Sequence, residues 1–326
     1  MGEYNGVIGG VSGIVTDGFT PWWHAYDGTV EAIIADENLT TDDAYDKALN
    51  WQVEARALSY EASDGQVIED LDHCAIVRAD NDRLLGIHSD TYGITQNDEL
   101  RKLGNAIKGA GYTVYAKSAG SLYGDKVTWM LVKLGEDKSF DGEHLQSYLL
   151  LASSHDGSLP LSARPTNVRV ECMNTFDWAI KGTKSLVNIR HTRNAADYVA
   201  AAEHTLSVAY NHFNAMDAEI QQLLDKPYTH DQYRDELVPV LVGEQPTDEG
   251  RSQTIWHNKR DALLLSPQRD DQANINGTAW GAVMAVNSYE LWGATVKGGR
   301  LASQAKKAIN GTFPMTEVAR SVVLAA

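Results

Sequence analysis

Apolar and polar positions change their rhythm near residue 194. Before that point short apolar runs alternate with turn residues, the mark of half-buried strands; beyond it the apolar positions recur at helical spacing. Thr40-Thr41-Asp42-Asp43-Ala44 reads as a helix start, with Tyr45, Ala48 and Leu49 on one face. Residues 51–55 alternate and predict a strand. A strand over 75–78, the polar Asn81-Asp82-Arg83 and the apolar run 84–88 predict a hairpin. Asn97 opens a helix to about Lys108 whose apolar face is Leu100, Leu103, Ala106 and Ile107, and Gly109 and Gly111 end it. Residues 112–117 and 126–132 predict paired strands around a turn with Gly120 and Gly124. Residues 147–153 and 167–172 predict a further pair, joined by His155-Asp156-Gly157-Ser158.

The second half opens with the strongest periodic signal. Over 195–225, Ala202, Leu206, Ala209, Phe213, Met216, Ile220 and Leu223 step by four and three residues in turn, a seam of period 3.5. It predicts one helix of about 46 Å that covers its stripe on its own sheet or on a second protomer, and Lys226-Pro227 ends it. Further helices are expected at about 229–243, 250–265, 276–292 and 300–310. The expected fold class is therefore α+β. A Gly-rich flexible arm over 1–20 precedes a mainly antiparallel sheet unit with a few helices over 21–193. A helical region follows over 194–326.

An apolar content of 43% supports a sizeable core and excludes wholesale disorder. No run of eighteen apolar residues predicts a membrane span, and Met1-Gly2-Glu3-Tyr4-Asn5 does not read as a signal peptide. Cys74 and Cys172 form no disulfide framework or zinc motif, which suits a cytoplasmic protein.

The net charge of -16 is unevenly placed. Residues 1–100 hold 4 Lys/Arg against 20 Asp/Glu, whereas 101–200 hold 13 against 9. Counterion release depends on local cationic clusters, so the total does not exclude nucleic acid. No His-x-x-x-His, Cys-x-x-Cys, phosphate loop or Gly-x-Ser-x-Gly occurs, so neither a metal, a cofactor nor a catalytic residue is expected. On the 112–134 hairpin, Tyr115 and Lys117 share one strand face and Trp129 and Lys133 another, with Lys126 at the turn. Aromatic and cationic side chains on a sheet face form a stacking and phosphate surface for single strands. A second basic group, Arg164, Arg169, Arg190 and Arg193 with His191, reads as a backbone-binding patch, because guanidinium suits bidentate phosphate contact.

Several of these stretches form an ordered set. Val77-Arg78-x-Asp80 with Leu85-Gly86, Tyr92-x-x-x-Gln96-Asn97, Arg169-x-x-Cys172-x-Asn174-Thr175, Arg190-His191-Thr192 and Gly277-Thr278-Ala279-Trp280 with Ala285-Val286-Asn287 join Trp22-Trp23-His24. Together they resemble the phage/plasmid-like protein family built on a domain of unknown function, from about residue 20 to 295. That resemblance implies a phage, prophage or plasmid origin and a bacterial host cell, and brings no settled activity. The order of helix, antiparallel strands and long helix is similar, more loosely, to phage single-strand annealing proteins of the RecT and Red-beta type. The leading expectation is a non-enzymatic protein that binds single-stranded DNA and anneals it in phage or plasmid recombination. Its protomers would form a homo-oligomer, ring or filament, through sheet edges and the long helix. The alternatives are a metal-dependent nuclease and an acidic DNA mimic that binds a host protein.

Overall fold

Thr40 starts the first helix as its sequence requires. Its hydroxyl accepts the Asp43 N–H, and the Asp43 carboxylate returns to the Thr40 backbone. The structure is a computed structural model and describes residues 7–8, 30–109, 114–135, 138–140, 143–169, 175–176, 187–188, 195–247, 250–296 and 300–326. Its fold is α+β, as expected.

The strands are β1 (Val7–Ile8), β2 (Val30–Leu39), β3 (Val53–Glu61), β4 (Val67–Arg78), β5 (Arg83–Ser89), β6 (Val114–Leu122) and β7 (Val127–Leu134). After them come β8 (Lys138–Phe140), β9 (Glu143–Ser154), β10 (Ser162–Arg169), β11 (Thr175–Phe176) and β12 (Val187–Asn188). The main sheet runs β1-β2-β6-β7-β9-β10-β11, with β8 on β9 and β12 on β10; β3-β4-β5 form a separate sheet. All pairs are antiparallel except β1–β2. The expected arm over 1–20 falls outside the described residues apart from β1.

Both faces of the main sheet are covered. Helix α1 (Thr41–Ala44), its π-helical continuation Tyr45–Leu49, α2 (Asp98–Gly109) and the first half of α3 (Ala195–Asp225) bury Met130, Val132, Leu149 and Leu151 on one face. On the other face α8 (Arg300–Asn310) sets Ala305, Ala308 and Ile309 on Trp129, Leu131, Tyr148 and Leu150. The seam of α3 is continuous because it serves two cores in succession. Ala202 to Phe213 pack on the sheet, and Met216, Ile220 and Leu223 enter a helical bundle. The stripe is thus covered by its own chain, which removes it as the expected oligomer contact.

That bundle comprises α4 (His230–Gln232), α5 (Val238–Val242), α6 (Arg251–Leu265), α7 (Ala279–Ser288) and α9 (Pro314–Ala325). Every residue of α7 is buried. Thr278 caps it by accepting the Gly281 N–H, and a Cβ at Gly281 would lie 2.2 Å from the Ile275 carbonyl oxygen, so only glycine fits. Two buried acids tie the bundle down. Glu143 on β9 accepts from Trp280 Nε1 (3.1 Å) and Asn274 Nδ2 (3.0 Å). Glu290 accepts the Thr316 N–H (3.0 Å) and hydroxyl (2.9 Å) in the first turn of α9 and pairs with Lys307 (3.1 Å). Among the described residues no helix is long and apolar enough to cross a membrane.

Three expectations need correction. The strand expected at 167–172 occupies Ser162–Arg169. Pro165 concealed it, but Pro165 sits between the two positions where β12 and β11 pair with β10. β3 and β4 are far longer than the runs at 51–55 and 75–78, and α9 was not expected at all. Phe213→Ala should cost about 3–5 kcal/mol of unfolding free energy, because it opens the core between α3 and the sheet. Asn214→Ala, exposed on the same helix, should stay within about 0.5 kcal/mol. Urea denaturation of both variants checks this.

Candidate functional site

Tyr115 on β6 and Lys133 on β7 are direct cross-strand neighbours. They extend the α8-covered face beyond its buried part: Tyr115 is 37% exposed, and Lys133 is half-buried. Lys117 sits half-buried at the register shift between Ala116 and Ser118, where β6 bulges. Lys126 closes the β6–β7 turn, and its carbonyl accepts the His155 N–H (2.7 Å). Four of the expected binding residues are therefore at least partly exposed on β6, β7 and their turn.

The others do not join them. Trp129 is fully buried under α8 and is not part of an exposed face. Arg164 is buried too: its Nε donates to the Ile309 carbonyl (3.2 Å) at the end of α8. Both residues hold α8 to the sheet. Arg169 ends β10 opposite Leu145; Arg190, His191 and Arg193 lie outside the described residues. The structure adds a contribution that was not foreseen. Helix α8, on the same side of the sheet, carries Arg300, Lys306 and Lys307 and no acid, and Arg300 and Lys306 are exposed.

A second constellation stands at the turn end of β6 and β7. Asp125 is 1% exposed and holds a left-handed backbone (φ 69°), which Asp tolerates better than most residues. Its carboxylate accepts from Ser121 (2.6 Å), Arg78 (3.1 Å) and Arg83 (2.7 Å). Arg78 also donates from Nε and Nη2 to Asp80 in a bidentate pair at 2.8 and 2.9 Å, and lies 4.6 Å above the Trp51 ring. Hydrogen bonding to Arg78 holds the Asp80 carboxyl below its ordinary range. Two guanidiniums meet two carboxylates, so the cluster presents no net charge. It works as a clamp that fixes the β3-β4-β5 sheet to the main sheet.

His155 completes the clamp. Its ring packs edge-on to Trp51, 5.3 Å between centroids, and its Nε2 lies 2.9 Å from Asn97 Oδ1. Asn97 Nδ2 donates to the carbonyls of Leu49 (3.1 Å) and Trp51 (3.2 Å), so Oδ1 is the acceptor and His155 Nε2 carries the proton. The Gln96 amide pairs with both backbone groups of Val53, at 3.0 and 2.8 Å, in place of a strand. His88 bonds the His155 carbonyl (3.1 Å) and stacks on Tyr92 at 3.9 Å. Burial pushes the His155 imidazole down to about 4, against the opposing pull of Asp125, Asp156 and a backbone bond at Thr95. Arg78-x-Asp80, Tyr92 and Gln96-Asn97 were visible as motifs; Asp125, Arg83, Trp51 and His155 carried no local signal. Among the described residues no group of three His, Cys, Asp or Glu could hold a metal ion.

Two outcomes follow from the clamp. Asp125→Ala leaves a void beside Arg78, which keeps Asp80, and frees the half-exposed Arg83, so it should cost about 1–3 kcal/mol, with Asp125→Asn less damaging because it keeps the backbone and the Ser121 contact. His155 is neutral when folded, and its imidazole protonates more readily once unfolded. Stability is therefore full above pH 6.5 and falls as pH drops from there to about 4. The full loss is about 3 kcal/mol at 1.36 kcal/mol per pH unit. Denaturation curves across that window should slope for the parent chain and flatten for His155→Gln.

Comparison with known proteins gives one match. Residues 84–310 match the family described as Domain of unknown function (DUF932), a span that takes in β5 from Leu84, the clamp residues from His88 to His155, the main sheet from β6 onward and α8. No curated protein and no solved structure matches the chain. Since the match spans well over half of its length, the chain belongs to the DUF932 family.

Proposed function

We propose that this protein binds single-stranded DNA on the α8 side of its main sheet and anneals complementary strands, in phage or plasmid recombination. The observation that carries the reading is the exposed Tyr115 ring beside Lys133, with Lys117 on the same strand. A ring that offers its face to any base, next to ammonium groups for the backbone, gives binding that tolerates any sequence. The acid-free α8, on the same side of the sheet, adds exposed Arg300 and Lys306. The order α2, antiparallel strands, long α3 adds the looser likeness to RecT and Red-beta annealing proteins.

Anisotropy of a labelled oligonucleotide in EDTA, at rising salt, tests the reading. Single strands should bind more tightly than duplex, without sequence preference and without magnesium. Tyr115→Ala should weaken binding by about 1–3 kcal/mol, roughly five- to a hundredfold. Lys133→Ala should lower the salt slope by about 0.7, the share of one single-strand phosphate, and Arg190→Ala with Arg193→Ala by about twice that. Degradation that needs magnesium would favour a nuclease instead. Absence of binding at every salt concentration would favour an acidic protein-binding factor.

A further inference from the structure

The helical bundle carries a pocket of its own. It lies between the end of α6 and the π-helical turn Tyr289–Gly293 that continues α7, and holds about 280 Å³. Tyr289 and Trp292 give it aromatic walls; Ala262 and Leu265 form the α6 side, and Leu265 is 62% exposed. Small-molecule sites run from about 300 to 1,000 Å³. This pocket stands at the lower bound, with room for one flat ring system and little more.

Its walls are set without a ligand. The Ala294 N–H donates to the Tyr289 carbonyl (2.8 Å), which closes the wide turn and brings Tyr289, Trp292 and Gly293 to the pocket. Glycine is required at 293: a Cβ there would lie 2.7 Å from Cδ2 of the Tyr289 ring, so a larger residue displaces that ring. From α8, Gln304 donates to the Leu291 carbonyl (3.0 Å) and Lys307 to the Glu290 carbonyl (3.1 Å), so a second helix braces the turn. A site formed in advance loses little to ordering when it binds.

Two features define the ligand. Ser288 lines the pocket, is 2% exposed, and its hydroxyl has no hydrogen-bond partner. A buried hydroxyl left unpaired is destabilising, and it can both donate and accept. Arg269 is the one charged residue of the lining. Its Nε and Nη2 donate to the two carboxylate oxygens of Asp271 (3.0 and 2.9 Å), so the pair is neutral and gives no foothold to a phosphate or carboxylate. We infer that the pocket binds an uncharged heteroaromatic ring, a free nucleobase or nucleoside, packed on Tyr289 and Trp292 with a heteroatom of its edge bonded to Ser288. A nucleic-acid strand is held through its phosphates and does not suit a site without an unneutralised cation. The inference is independent of the DNA-binding reading.

Isothermal titration calorimetry of the full chain with adenosine, guanosine, cytidine and uridine, each beside its 5′-monophosphate, tests it. At least one nucleoside should bind saturably at one site, and its monophosphate no more tightly. Ser288→Ala should weaken that nucleoside roughly two- to tenfold. The same substitution removes an unpaired hydroxyl, so the melting temperature of the ligand-free chain should not fall, and weaker binding then has no origin in lost fold. Gly293→Ala, which displaces the Tyr289 ring, should abolish binding. A single-stranded oligonucleotide should not displace the nucleoside. Absence of saturable binding by all four nucleosides at millimolar concentration overturns the inference. So do a monophosphate that binds more tightly than its nucleoside, displacement by the oligonucleotide, and an affinity of Ser288→Ala equal to the parent's.

Discussion

Asp125 is a carboxylate removed from water on a left-handed turn, and it is tolerable only when three separate groups reach it together. Ser121 comes from its own hairpin; Arg78 and Arg83 flank the β4–β5 turn. Burying a charge costs several kcal/mol, and the partners restore that only in one geometry. The clamp therefore sets the angle between the two sheets rather than adding much net stability. Trp51 under Arg78, His155 against Trp51, and Asn97 on His155 extend the constraint to the start of α2. β5 approaches so closely that a Cβ on Gly86 would lie 3.1 Å from the His155 carbonyl oxygen. The acidic β3–β4 hairpin projects from this clamp.

The same device recurs on the other side of the molecule. Glu143 and Glu290 are buried acids, each satisfied by groups from elements distant in sequence: Trp280 and Asn274 for the first, Lys307 and Thr316 for the second. Arg320 on α9 and Glu219 on α3 add a two-bond pair between helices. Apolar packing along α3 supplies the bulk of cohesion between sheet and bundle. The buried carboxylates fix how those elements are oriented.

The sequence was legible where burial is one-sided. The stripes of α2 and α3 fall on the foreseen residues because each helix has one wet face and one dry face. The capping box at Thr40 was readable because it is local. β7 misled for the opposite reason. It is covered on both faces, so alternation along it separates two cores instead of core from solvent, and Trp129 went inside. The helix that covers it lies more than 160 residues downstream, and the carbonyl that Arg164 serves lies 145 residues beyond that arginine. The outer part of the β3–β4 arm was missed because it buries nothing and so has no apolar period to read. The clamp was half legible: its motifs mark Arg78, Asp80, Gln96 and Asn97, whereas Asp125 belongs to no motif.

In the proposed reading, the sheet face that carries Tyr115 and Lys133 is the DNA-binding surface, and the clamp without net charge only holds the β3-β4-β5 sheet beside it. Tyr115 and Lys133 are the centre of that face. Ultraviolet cross-linking of the parent protein to a bromodeoxyuridine-substituted single strand, followed by mass spectrometry of the joined peptides, tests this most directly. Cross-links confined to peptides from β6, β7 and α8 are the predicted result. Cross-links that fall on the β3-β4-β5 sheet or the helical bundle, or that are no more frequent than with duplex, would contradict it.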